Sequence, residues 1–166
     1  MGIYKGDYKN EKRDKKRLVY LFTGEISAII VFTLILFYYF ENLSNRYSLT
    51  SVVLTLNVIL LQGSYFWFVK WRRFETRKNS FPKLHYHLKL LKKIDLLLLL
   101  VAPMIVLIEI LLLSESSLME LLTLLCIYIF AIIEYINYYF IQLTNYSNGS
   151  GKPSAIAKEI KLHKIE

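Results

Sequence analysis

At 166 residues the chain has the length of one domain, yet 55% of it is hydrophobic and its mean hydropathy is +0.38, which excludes an ordinary soluble domain and calls for membrane spans. A net charge of +8 is gathered into three basic blocks separated by runs almost free of Lys and Arg. With no recognisable nucleic-acid-binding fold beside them, these blocks are expected to meet an anionic lipid bilayer and no nucleic acid.

Residues 1–17 carry seven basic side chains against three acidic ones and read as a basic cytoplasmic tail. The run 18–40 has the roughly 20 residues that cross about 30 Å of hydrocarbon, and it lacks a small-residue cleavage site, so it is expected to remain as an anchor. Glu25 is its anomaly, about 10 Å from the basic end by helical rise. The carboxylate either reaches the interface or pairs with another span. Gly24 and Ala28 form a small-xxx-small pair suited to close helix approach.

The second span, 49–71, carries Thr50, Asn57 and Ser64 on one face and Thr55 and Gln62 on another. Polar residues on two faces predict a helix with protein on most sides. Tyr65, Trp67 and Trp71 just before the charges read as an aromatic belt. In the cytoplasmic loop 72–93, Ser80-Phe81-Pro82 supplies helix-start chemistry, and Leu84, Leu88 and Leu91 recur at helical spacing among Lys83, Lys89, Lys92 and Lys93. This pattern predicts a basic amphipathic helix on lipid, with the four lysines at the headgroups. His85 and His87 diverge by about 200° on a helix and cannot share a metal.

The third span, 94–113, opens with Asp95, placed where a carboxylate suits a helix N-terminus, and is otherwise so apolar that it reads as the lipid-facing member. Pro103 interrupts it, and Glu109 lies about one turn from its outer end. The fourth span, 118–143, is the richest in polar side chains: Glu120, Thr123, Ile127, Glu134, Asn137 and Tyr138 share one stripe, with Tyr128, Tyr135 and Gln142 beside it. A carboxylate at membrane depth costs about 2.5 to 3.5 kcal/mol, so Glu134 is expected to face protein or water, with Asn137 as its neighbour. The single Cys126 in this span excludes a disulfide or a cysteine zinc site and reads as a small core residue. Residues 144–166 read as a cytoplasmic linker and a short tail helix with Ile156 and Ile160 on one side.

Lys and Arg number 7 in the first tail, 9 from Lys70 to Lys93 and 4 in the last tail, leaving Arg46 alone across the membrane. The positive-inside rule then gives an all-α, polytopic four-transmembrane-helix bundle in a plasma membrane, with cytoplasmic termini. The Lys, Ile, Asn and Tyr richness suits an AT-rich bacterial genome. In this topology Glu25 and Glu134 come to similar depth, and with Asn57, Gln62, Asn137 and Tyr138 they form the expected intramembrane polar cluster. No HExxH, Gly-x-Ser-x-Gly or Cys-His pattern is present, so no enzyme, cofactor or metal site is expected. The expected function is a non-catalytic accessory, immunity, stress-protection or scaffold protein that works through a membrane protein partner or self-association; the alternative is a proton- or cation-coupled transporter or channel using Glu134 and Glu25.

Overall fold

A computed structural model describes residues 3–42, 47–76, 81, 84–113, 118–147 and 150–162. Among them five helices carry the fold: α1 (Ile3–Asn42), α2 (Tyr47–Thr76), α3 (Leu84–Leu113), α4 (Leu118–Tyr139) and α5 (Ala155–Leu162), with a small hairpin of β1 (Ile141–Ser147) and β2 (Ser150–Pro153) before α5. The first four are long and apolar enough to cross a membrane. The architecture is the expected all-α four-helix bundle.

Its centre is α2, which touches α1, α3 and α4. Val52, Val53, Leu56, Ile59, Leu60 and Phe66 of α2 are buried, while the outer faces of α1 and α3 present large apolar side chains such as Leu34, Phe37, Leu97 and Leu111. A helix with polar residues on two sides can satisfy them only when protein surrounds it, which is why α2 takes the middle place.

At 30 residues each, α2 and α3 are about 45 Å long, well beyond about 30 Å of hydrocarbon. The surplus is the basic end. The loop segment of residues 84–93 is therefore helical as expected but continuous with the third span. Its apolar side is not left for lipid: Leu84 and Leu88 are fully buried among protein side chains. Of the loop signals, Ser80, Pro82 and Lys83 lie outside the described residues, whereas Lys89 and Lys93 are exposed.

The buried residues of α3 form one seam, Leu84, Leu88, Asp95, Leu99 and Ala102, that keeps the 3.6-residue period along most of the helix. Pro103 sits inside α3 and lacks the N–H that would bond the carbonyl of Leu99. The Tyr128 hydroxyl of α4 donates to that carbonyl at 2.8 Å, so a neighbouring helix satisfies the freed acceptor. Near the other end of α3 the Glu109 carboxylate accepts from the Ser48 backbone N–H at 2.6 Å, capping the start of α2.

Three local expectations change. The fourth helix ends at Tyr139, and the stretch read as linker pairs as an antiparallel hairpin with Ser147 opposite Ser150. Cys126 is exposed on the outer face of α4 and is not a core residue. Gly24 has open space around it, so the close approach lies elsewhere: a Cβ on Gly63 would meet the Tyr138 ring, with Cε2 at 2.8 Å.

The tail helix forms as expected and docks on the bundle. Ser154 caps it, its Oγ accepting from the Ala157 N–H at 3.0 Å while the hydroxyl donates to the Tyr138 carbonyl. Ile156 joins the core, and Arg73 at the end of α2 pairs with Glu159 at 2.6 Å. The same guanidinium donates to the Phe81 carbonyl at 2.7 Å, beside the start of α3.

Candidate functional site

The expected polar cluster is divided into three places. In the first, Gln62 of α2 meets two residues that the sequence did not single out for it, Asp95 of α3 and Tyr139 of α4. Gln62 Nε2 donates to Asp95 Oδ1 at 2.6 Å. The Tyr139 hydroxyl lies 2.7 Å from Gln62 Oε1 and 3.0 Å from Asp95 Oδ2, its one proton shared between those two acceptors. Asp95 is 0% exposed. It is therefore no helix-start residue meeting water, but the point at which three helices are hydrogen-bonded to one another.

Next to this seam, Lys92 of α3 lies over the ring of Phe140, just past α4, at 4.1 Å from its centroid and over Tyr139 at 5.8 Å. Lys92 thus makes a cation contact with aromatic faces, whereas Lys89 and Lys93 are exposed.

The second place holds Asn57, whose Nδ2 donates to Thr33 Oγ1 of α1 at 3.1 Å. Thr33 is eight residues beyond Glu25, about 12 Å along the helix, so Asn57 is not part of the carboxylate group. It joins α1 to α2.

The third place gathers the residues that the antiparallel depth argument brings together. Glu25 of α1 and Glu134 of α4 line one groove of about 400 Å³. Asn137 Nδ2 donates to Glu134 Oε2 at 3.3 Å. On the inner side of Glu25 lies a smaller cavity of about 80 Å³, bounded by Trp67, Asn137, Tyr138 and the α5 residues Ala155 and Ile156. Trp67 therefore lines the polar site, with Phe66 edge-on at 5.0 Å. Tyr138 is 4% exposed, and its hydroxyl stands beside Glu25 without reaching hydrogen-bond geometry with any partner.

Tyr138 and Tyr139 thus direct adjacent side chains into different sites. Tyr138 packs on Gly63 towards the carboxylates, and Tyr139 bonds Gln62 and Asp95. The polar stripe expected on α4 includes Tyr138 but not Tyr139, and the sequence suggests for Asp95 only a helix start. Carrying the Leu84, Leu88, Leu91 spacing forward by one more turn reaches Asp95, which would have put it on the inner seam. Among the described residues no group of three or more His, Cys, Asp or Glu has metal-ligating proximity. Neither Glu25 nor Glu134 has an ion-pair partner among them.

The fold and these interhelical polar sites define a multi-pass protein with four membrane-spanning helices. No protein-family model, curated protein or solved structure matches the chain.

Proposed function

We propose that the chain is a non-catalytic protein of a bacterial plasma membrane, with both termini cytoplasmic, that acts as an accessory, protective or scaffold element through helix contacts within the bilayer. The observation that supports this reading is the Gln62, Asp95 and Tyr139 seam, where a fully buried carboxylate is bonded by its own bundle. Such a seam fixes helix register, as a scaffold needs, and leaves the apolar outer face of α1 for a membrane protein partner or a second copy. Exposed Lys89 and Lys93 extend the same reading to the anionic inner leaflet.

A second reading, proton- or cation-coupled transport, is favoured by Glu25 and Glu134 sharing one groove. Purification in mild detergent followed by mass measurement and reconstitution separates the two. A co-purifying chain, or a self-associated form without flux, agrees with the first. Proton or cation flux that disappears in a well-folded Glu134→Gln variant replaces it with the second, because an amide cannot release a proton. A monomer that carries no partner removes the first.

The orientation rests on the charge asymmetry and has its own test. In a Cys126→Ser background, Lys93→Cys and Lys158→Cys should be protected from an impermeant thiol reagent in intact cells, and Tyr47→Cys should react. Reaction at Lys93→Cys before lysis reverses the topology.

A further inference from the structure

The groove between α1 and α4 has three features that the seam lacks. It contains two carboxylates, Glu25 and Glu134, with no ion-pair partner among the described residues. Its walls combine apolar and aromatic side chains, Leu21, Leu60, Tyr20 and Phe130, and Tyr20 is 76% exposed at the outer surface of α1. Beneath Glu25, the smaller cavity receives the buried Tyr138 hydroxyl, which has no hydrogen-bond partner. Leu21 and Glu25 line both spaces, so the carboxyl stands between them. The carboxylates gain most from a positively charged occupant of the groove, while the Tyr138 hydroxyl lies on the other side of Glu25, in the smaller cavity.

The size and donor set narrow the occupant. About 400 Å³ is the volume of a small organic molecule, far more than a bare ion fills. Two carboxylates are too few for a calcium-type shell of six to eight oxygens. Aromatic faces beside carboxylates suit an alkylammonium head, and the open side of the groove, lined by exposed residues of α1, would leave an attached hydrocarbon tail in the bilayer.

We propose that the groove formed by Glu25, Glu134, Tyr20 and Phe130 is a binding site for the ammonium group of an amphiphile dissolved in the membrane. The site does not require transport, and it rests on neither functional reading above: occupancy is measured at equilibrium, whereas flux and partner mass are separate observations. Two sources offer the same chemistry, an aminophospholipid of the bilayer or a single-tailed amine that enters from solution.

The test uses the full chain in nanodiscs of phosphatidylglycerol, whose headgroup has no ammonium, with radiolabelled dodecyltrimethylammonium as the probe. Wild type should retain probe above the level of empty discs. The double variant Glu25→Gln, Glu134→Gln should lose affinity by at least about tenfold, since the charge partners are removed while size is kept. Gly24→Leu supplies a variant with both carboxylates intact. Gly24 lines the groove and a Cβ there meets no atom within 4 Å, so the larger side chain should grow into the groove without unfolding the bundle and displace the probe. Displacement by added phosphatidylethanolamine would identify the lipid source, and persistence of the probe would identify the soluble amine. Equal retention by wild type, the double variant and Gly24→Leu, each with unchanged thermal stability, overturns the proposal. So does failure of wild type to bind while a co-purified membrane protein is lost on Glu25→Gln, because the cation would then come from a partner's side chain.

Discussion

Asp95→Lys should prevent the bundle from assembling, whereas Asp95→Asn should leave it nearly intact. The lysine ammonium would enter a site that is 0% exposed and holds Gln62 Nε2, a donor, as its nearest polar atom. An uncompensated charge in such a place costs about 3 to 5 kcal/mol, a large part of the stability of a small domain. Asparagine keeps the shape and the accepting oxygen, and its amide can donate to the Tyr139 oxygen while the Tyr139 proton goes to Gln62. Asp95→Leu falls between them: Tyr139 keeps Gln62 as its acceptor, but the Gln62 amide is left without one, at about 1 to 3 kcal/mol. Replacing the whole group together, as Gln62→Leu, Asp95→Leu and Tyr139→Phe, should recover much of the loss because no polar atom is then stranded. The order of melting temperatures in mild detergent checks the series. A stable, monodisperse Asp95→Lys would show that the three-helix seam does not hold the bundle.

Gly63→Leu should be comparably damaging, and for a steric reason alone. Even a single methyl on Gly63 would meet the Tyr138 ring, with Cε2 at 2.8 Å, and that residue is only 4% exposed. Gly63→Ala should cost about 1 to 3 kcal/mol as the ring is pressed towards the Glu25 cavity, and leucine more. The informative variant is the second-site one. Tyr138→Ala opens the space that the added side chain needs, so Gly63→Leu with Tyr138→Ala should be more stable than Gly63→Leu alone. Such non-additivity is expected only of residues in contact. Strictly additive losses would separate Gly63 from Tyr138.

The spans were legible because hydropathy over about 20 residues needs no tertiary information. The central place of α2 was legible as well, since Asn57 and Gln62 on different faces require partners on different sides. Glu25 and Glu134 met because equal depth follows from counting residues from a common end. What escaped was the choice of neighbour. Asp95 stands at the start of an apolar run, where local chemistry suggests a cap, and only the seam begun by Leu84 and Leu88 shows that it points inward. Gly63 carries no side chain to announce the ring that covers it. Cys126 and Gly24 read as interior residues because small residues suit helix contacts in general, yet which small residue is used depends on which helices meet.

The wide separation of Glu25 and Glu134 in the sequence imposes an order in time. More than a hundred residues lie between them, so at about 5 to 20 residues per second α4 leaves the ribosome roughly 5 to 20 seconds after α1. During that interval α1 can take up its main contact with α2 and the Thr33 to Asn57 bond, both available as soon as the second helix inserts. The side of α1 that bears Glu25 has to wait. The groove therefore closes as a late step of biogenesis, and Glu25 must be carried in an unfinished bundle until the last span arrives.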